Sequence, residues 1–440
     1  MSNVFRSILI CALVTLAIPA FAMKPPKRLP PMQQAAQSTE VDSATEPVVK
    51  ITPPPSYNAK RIALFPLELP GYVLKAVLWP IGAGLDFAKR QHADERVQNT
   101  LSFKSKQIWI YPVMDKSPGQ SFGGGLAVKG INLFDEGYFF DADYRVHVNL
   151  DMFSNLSFTK KDLFRVGGLP FDLSFDGGWA LRHSFNFFGV GNDSQEGDLA
   201  EWKEQDLDGN VKLRLMPIPT VGIYALFGGS ATSTGEATNA GVNPAANPPT
   251  GYGRWLPYIR VGGGVEHDTL DVPWDPRRGG VERLEISRLQ YMGSGQDVSY
   301  NDLRLTLLHY FPLWSPEHVI MLRNAWWLEQ TGNPLPVPRM TILDADHMLR
   351  GFDVDRFCDR SSVVFNAEYY FPLFHGLRGM ILADTGRVFN GFPNFTFKGF
   401  KYSAGGGLDF GMSRVITMRI RAAYGGEGVK FSFTLLRKQI

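Results

Sequence analysis

A chain of 440 residues has room for two or three soluble domains or for one large barrel, and its formal net charge of +2 gives no electrostatic case for nucleic acid. Aromatic residues at 13% together with 45 glycines suit a β-barrel, which places aromatics at its interfaces and glycine at its bends, better than an α/β enzyme. Of the two cysteines, Cys11 falls in the leader segment, so only Cys358 remains and no intrachain disulfide can form.

Residues 1–22 carry Arg6, an apolar run from Ile8 to Phe21, and Ala20 and Ala22 in an A-x-A arrangement, which reads as a secretory signal peptide cut before Met23. Cys11 follows Ile10 rather than a small residue, which argues against a lipoprotein. Residues 23–57 are rich in Pro, Ser and Thr and poor in large apolar side chains, so they read as a disordered leader. In residues 58–105 Leu67, Val73, Leu74, Val77, Leu78, Leu85 and Phe87 recur at helical spacing, with Pro70 and Pro80 able to start or kink segments. The spacing predicts one or two short amphipathic helices, packed on a barrel or its periplasmic rim, with a membrane-surface helix as the alternative. No later window offers ~20 uninterrupted apolar residues, so strands must do any crossing of a membrane.

From about Lys106 the pattern becomes period two. Asp141, Asp143, Arg145, His147, Asn149 and Asp151 alternate with Ala142, Tyr144, Val146, Val148 and Leu150, one face charged and the other apolar. The same alternation runs through Asp208 to Leu215, Arg283 to Leu289, Asp302 to Leu307 and Ile416 to Ala422, where Thr417, Arg419 and Arg421 share a face. A soluble sandwich rarely sets so many charges opposite an unbroken apolar row; a barrel with a wet lumen and an exterior in lipid requires it. The fold expected for residues 106–440 is therefore all-β: a transmembrane antiparallel β-barrel of about sixteen strands. Longer polar connections, Gly191 to Gln205, Ser230 to Gly253 and Glu329 to Arg360, alternate with tight ones such as Met216 to Pro219. The first strand is expected over about Lys106 to Met114 and the last over about Val429 to Leu436, with Gly425, Gly426 and Gly428 weakening or bending the entrance to the last one.

Chemistry concentrates between Leu343 and Phe389. The aperiodic Leu349-Arg350-Gly351-Phe352 reads as a loop, and the strand-like runs Val363 to Phe371 and Gly379 to Phe389 each carry one carboxylate, Glu368 and Asp384. Glu368 shares a face with Asn366 and Tyr370, which points it inward. Gly119 to Gly123 spells G-x-S-x-G, but the chain continues as a strand where a nucleophile elbow needs a helix, so a hydrolase is not expected. His147, His183, His267 and His309 lie on different strands without metal-ligand spacing, and Asp353, Asp355 and Asp359 read as a solvated acidic loop rather than a Ca²⁺ site.

As an ordered set these stretches resemble the C-terminal barrel of the BamA/TamA family of outer-membrane proteins, the bacterial surface antigen family. Leu349 to Phe352 looks like the family's Val-Arg-Gly-Phe/Tyr motif, carried on a loop between the eleventh and twelfth strands; Asn366 to Phe374 and Leu382 to Phe389 look like the strands that follow. His267 to Gly280, with Asp268, Asp271, Pro276 and Gly279, resembles a strand and turn of the family, although Leu270 stands where Arg is usual, and Phe187 to Asp193 resembles another recurrent segment. Two departures stand out. The Pro-rich leader leaves no room for a periplasmic POTRA unit, and the last strand continues to Ile440 instead of ending on an aromatic. The resemblance implies that the loop at 329–360 folds into the lumen, where Arg350 bonds Asp384 and Glu368. It further implies a monomeric barrel in the bacterial outer membrane that meets outer-membrane lipids and client or periplasmic proteins, and inserts or translocates proteins or lipids without covalent chemistry, cofactor or metal. A passive pore with a charged lumen is the runner-up. A barrel lipid hydrolase is the third class, with no legible Ser, His and acid constellation.

Overall fold

The computed structural model describes residues 59–90, 96, 99–103, 107–240, 250–273, 275–346, 348–374, 376–411 and 416–437; the expected signal peptide and Pro-rich leader lie outside them. Sixteen strands follow one another around a closed antiparallel barrel. They are β1 (Ile108–Lys116), β2 (Gly123–Leu133), β3 (Tyr138–His147), β4 (Met152–Val166), β5 (Leu169–Phe187), β6 (Ala200–Ile218), β7 (Val221–Ala240) and β8 (Trp255–Asp268). The second half comprises β9 (Gly279–Tyr291), β10 (Tyr300–Pro312), β11 (Val319–Gln330), β12 (Ser361–Phe374), β13 (Leu377–Phe389), β14 (Lys401–Gly411), β15 (Ile416–Tyr424) and β16 (Val429–Arg437). Each strand pairs with its neighbours in sequence, and β16 returns to β1, so the wall has no long free edge for water or another chain to satisfy.

Period two decides which side chains face inward. On β9 Glu285 and Ser287 are buried in the lumen while Leu284 and Ile286, which alternate with them, are 39% and 46% exposed on the outside. Leu213, Phe227, Val265, Leu322 and Ile381 continue that exposed apolar belt, an area of apolar surface that a water-soluble protein rarely shows. Inside, charge is paired across strands: Arg145 with Asp115 at 2.7 Å, Arg260 with Glu285 at 2.7 Å and with Asp302 at 3.1 Å. No described helix is long and apolar enough to cross a membrane.

Links after even-numbered strands are mostly tight, such as Gly167–Gly168, whose φ of +60° and +84° only glycine adopts at no cost, and Pro219–Thr220. Links after odd-numbered strands include the longest, at 188–199, 241–254 and 331–360. Three boundaries differ from the sequence reading. The alternation over Asp141 to Asp151 does not make one strand: β3 stops at His147, and Val148 to Asp151 form a turn in which Leu150 has φ +67°. The connections expected from Gly191 to Gln205 and from Ser230 to Gly253 are shorter, because β6 starts at Ala200 and β7 runs to Ala240. Polar residues there reflect the lumen face of long strands, which composition alone does not separate from a loop.

Ahead of the barrel come α1 (Ala59–Val77) and α2 (Trp79–Arg90). The chain divides after Leu67; the described part of the first unit is the start of α1, and everything from Glu68 onward belongs with the barrel. Leu74, Leu78 and Leu85 pack on Phe371, Leu373 and Leu377 with Phe374, Leu408 and Phe410 around them. Since Glu368 and Asp409 point into the lumen, these partners lie on the outer face, at the tight-turn end of β12 to β14. Gly82 is where the fit is closest, because a Cβ there would run into the Phe374 ring. Gly82→Leu is therefore expected to release residues 68–90 from the wall without unfolding it: limited proteolysis should cut this segment faster than in the wild type while the barrel's heat-modifiable gel shift is unchanged. Equal cutting rates would show that the contact does not hold the helices.

Candidate functional site

The loop at 331–360, between β11 and β12, folds back on itself through a short ribbon in which Thr341, Ile342 and Leu343 pair with Asp359, Cys358 and Phe357. The ribbon carries its tip, residues 344–356, into the barrel. Leu343, Leu349, Phe352 and Phe357 form an apolar core there with Ala325, Val364 and Val388, all nearly without exposure. Burial of this kind stabilises by roughly 1.5–3 kcal/mol per large side chain, and it fixes where Arg350, next to Leu349, must point. Arg350 is only 4% exposed, and Glu368 and Asp384 are 2% and 3% exposed.

Arg350 grips Asp384 with a planar fork: Nε donates to Oδ2 at 3.0 Å and Nη2 to Oδ1 at 2.5 Å, while its backbone N–H donates to Oδ2 at 3.2 Å. Its Nη1 donates to Glu368 Oε1, and Tyr370 donates its hydroxyl hydrogen to the other oxygen of Glu368. Asn366 Nδ2 donates to Asp384 at 2.8 Å and to the Met348 carbonyl at 2.6 Å, and Ser403 Oγ donates to Asp384 at 3.0 Å. Each of the four carboxylate oxygens that burial takes from water is thus offered a donor, the condition under which a shielded ion pair holds. Gly351 packs on Gly425 so closely that a Cβ on either would collide with the other's backbone. All four residues of Leu349 to Phe352 are accounted for: two apolar plugs, one cation, one close approach.

Further bonds tie the loop to the wall. Asp355 accepts from Arg182 of β5 at 3.0 Å, Arg339 donates to Asp206 of β6 at 3.0 Å, and Arg356 forks onto Glu427 at 2.7–3.0 Å. Asp353 accepts from Lys430 of β16 at 2.8 Å, Asp346 accepts from Ser117 at 2.6 Å, and the Val354 N–H donates to the Pro118 carbonyl at 3.0 Å. The reading of Asp353, Asp355 and Asp359 as a solvated acidic loop is therefore corrected: Asp355 and Asp359 are buried, and the first two bond cations of the wall. Alternating charges on β5, β6 and β16 signal that Arg182, Asp206 and Lys430 face the lumen, but nothing local in the sequence names their partners.

The glycines before the last strand also act otherwise than expected. Gly425, Gly426 and Gly428 lie in the β15–β16 turn rather than bending β16; Gly426 and Gly428 have φ of +96° and +99°, and Gly425 is the seat for Gly351. Asp268 and Asp271 organise the 269–278 link that contains Pro276. Asp268 accepts from the Leu270 N–H at 2.9 Å, and Asp271 from the N–H groups of Val272, Arg277 and Arg278. Partial burial opposes ionisation of Asp271, but those N–H groups outweigh it and hold its carboxyl below the usual range. Gly279 closes the link at φ +95°, where a Cβ would strike the Thr269 carbonyl. Asp275 in the same link reaches Arg378 of β13 at 2.8 Å. In the G-x-S-x-G stretch the Ser121 hydroxyl donates to Asn149, and His147 meets the Ser121 carbonyl through Nδ1 at 3.1 Å rather than the hydroxyl, so no Ser–His pair forms.

Closure is weakest between β16 and β1. Phe433, Thr434 and Leu435 face Lys116, Asp115 and Met114, and these three pairs are all that join the two strands among the described residues. By contrast, β15 and β16 pair without a break from Ile416↔Arg437 to Tyr424↔Val429. Lower on β1, Ile108 and Trp109 pair with Phe103 and Ser102.

No protein-family model matches the chain, and no curated protein sequence matches it. Solved structures do. The chain is similar to BamA from Haemophilus ducreyi lacking POTRA domains 1–3, at 14% identity and a TM-score of 0.54, over 75% of this chain and 70% of that one. It is also similar to CdiB from Acinetobacter baumannii (12% identity, TM-score 0.49, 74% of this chain and 59% of that one) and to CdiB from Escherichia coli (12%, 0.47, 76% and 63%). At such identities the likeness to BamA shows a shared barrel fold and nothing finer.

Truncating Arg350 leaves two buried carboxylates without their cation, a loss of about 3–5 kcal/mol. Arg350→Ala is expected to lower barrel stability, and Asp384→Ala to do the same, with the double variant no worse than either single; denaturant titration of the refolded proteins measures the cycle. Losses that add would mean that the two side chains do not act as a pair.

Proposed function

We propose that this chain is a monomeric outer-membrane barrel that inserts or translocates proteins, or lipids, at the outer membrane by parting its wall between β1 and β16. The observation that carries the reading is the three-pair seam beside the unbroken nine-pair ladder that joins β16 to β15. Strand exchange at such a seam needs only hydrogen bonds to be traded, so neither covalent chemistry nor a cofactor enters. The apolar belt around the barrel supports residence in a bilayer, in which a seam that opens sideways meets lipid. The resemblance of Leu349 to Phe352 and of the strands after it to the BamA/TamA barrels supports the transport class. The partners proposed on this reading are outer-membrane lipids and client or periplasmic proteins.

A passive pore is the competing reading, and the buried loop in the lumen counts against a wide open channel. Purified protein in planar bilayers is expected to give small, flickering conductance and, in liposomes, to accelerate folding of a client barrel. Met114→Cys with Leu435→Cys places thiols on paired residues across the seam; oxidation should abolish the acceleration and reduction restore it. Large steady channels with no effect on client folding would sink the proposal in favour of the pore.

A further inference from the structure

The helices ahead of the barrel lack the polar side that a helix resting on a wall normally turns to water. Hydrogen bonding runs across their junction, with the Leu78 N–H donating to the Leu74 carbonyl at 2.8 Å and the Gly82 N–H to the Leu78 carbonyl at 3.0 Å, so faces continue from α1 into α2. One face, formed by Gly71, Leu74, Leu78, Gly82 and Leu85 at three- and four-residue spacing, lies on the outer wall of β12 to β14. A helix with its other face in water carries charge there. Between Leu69 and Gly84 the only charged residue is Lys75, and it is half-buried. Leu69, Tyr72, Val73, Val77, Trp79 and Ile81 are instead 44–68% exposed. A helix that is apolar all round is one that is covered all round, and here the barrel covers a single side.

The outer wall says what covers the other. Along the outer face of β13, Leu377 is buried under the helices and Gly379 under the Phe371 ring, whereas Ile381, next on that face, is 42% exposed and belongs to the apolar belt. Cover by protein thus stops where the belt starts, and the free side of the helices carries the same kind of surface as the belt beside it. No described helix is long and apolar enough to cross a membrane, so the pair lies along the wall instead of spanning. Tyr72 and Trp79 each join an apolar ring to a polar tip, the side chains that settle near the headgroups. Charge returns only at the end of α2, where Asp86 and Arg90 are exposed.

We propose that residues 69–84 lie within the bilayer, in the leaflet at the tight-turn end of the barrel, packed on β12 to β14 by one face and wetted by acyl chains on the other. The helices take the place of lipid on the outside of the strands whose inner face holds Glu368 and Asp384. This rests on the barrel's proposed residence in a bilayer and not on the parting of its seam.

The test uses the full chain carrying Cys11→Ser, refolded into phosphatidylcholine liposomes in which a fraction of the lipid bears a nitroxide on its acyl chain. Single cysteines, Val77→Cys on the free helix face, Ile381→Cys on the belt and Asp198→Cys in the exposed link after β5, take a fluorescent maleimide; the parent chain, with only the buried Cys358, is the blank. The Val77 probe is expected to lose as much fluorescence to the lipid nitroxide as the Ile381 probe, and to be shielded from iodide supplied on both sides of the membrane. The Asp198 probe should show the reverse. Heat-modifiable migration verifies folding of each variant, and Val73→Cys supplies a second position on the same face should Val77→Cys not refold. If the Ile381 probe is quenched by lipid while the helix probe answers to iodide like that of Asp198, the helices lie in water and the inference falls, with the barrel's membrane residence intact. A helix probe reached by neither quencher would assign the face to a second protein surface and equally overturn it. An Ile381 probe untouched by the lipid nitroxide would instead remove the membrane reading on which the inference stands.

Discussion

A guanidinium can leave water only where acceptors are already fixed to receive it, and in this barrel the strands fix them first. Asn366 and Asp384 are directly paired across β12 and β13, and Glu368 follows two residues on, so both carboxylates project from one patch of the inner wall whether or not the loop is present. Arg350 then has one place to go. Burial of such a pair adds little net stability, because desolvation offsets most of the attraction, but a loop that lands anywhere else leaves two carboxylates uncompensated. The pair thus selects one arrangement of a long loop that has almost no secondary structure of its own.

Landing there brings the rest of the loop against the seam. From the anchored tip, Asp346 and Val354 reach the turn after β1, while Asp353 and Arg356 reach Lys430 on β16 and Glu427 just before it. The loop therefore touches β16 and the turn that leaves β1, on either side of the shortest ladder. Anchor and seam, distant in sequence, are joined by one loop: the three ladder pairs are reinforced by a loop whose position is set on the inner faces of β12 and β13.

Period two tells from the sequence which side chains line the lumen, and the sixteen-stranded barrel follows from it with the loop correctly between β11 and β12. Register does not follow, because it is set by pairing between segments and not within them. Hence Asp353 and Asp355 look solvated in the sequence although Lys430 and Arg182 await them on strands remote along the chain. Glycines mislead for a related reason. Gly425 beside a strand suggests a bend, whereas its lack of a side chain is used by Gly351, a residue 74 positions earlier that only the folded chain brings near. Asp141 to Asp151 alternates correctly through His147 and then keeps alternating through a turn, since polarity reports the face and not the end of the strand.

Magnitudes rank what gives first when the barrel is strained. Pulling Arg350 from Glu368 and Asp384 costs about 3–5 kcal/mol because both acids remain buried. The Lys430–Asp353 pair, with side chains 15% and 19% exposed, is partly hydrated and is worth at most about 1 kcal/mol, and each of the few ladder bonds between β1 and β16 a net ~1 kcal/mol. On the proposed function, strain is relieved by separating these two strands while the tip of the loop stays on β12 and β13. The strand left uncovered is β16, which at 429–432 already runs beyond its three pairs with β1, so the edge it would offer extends that stretch.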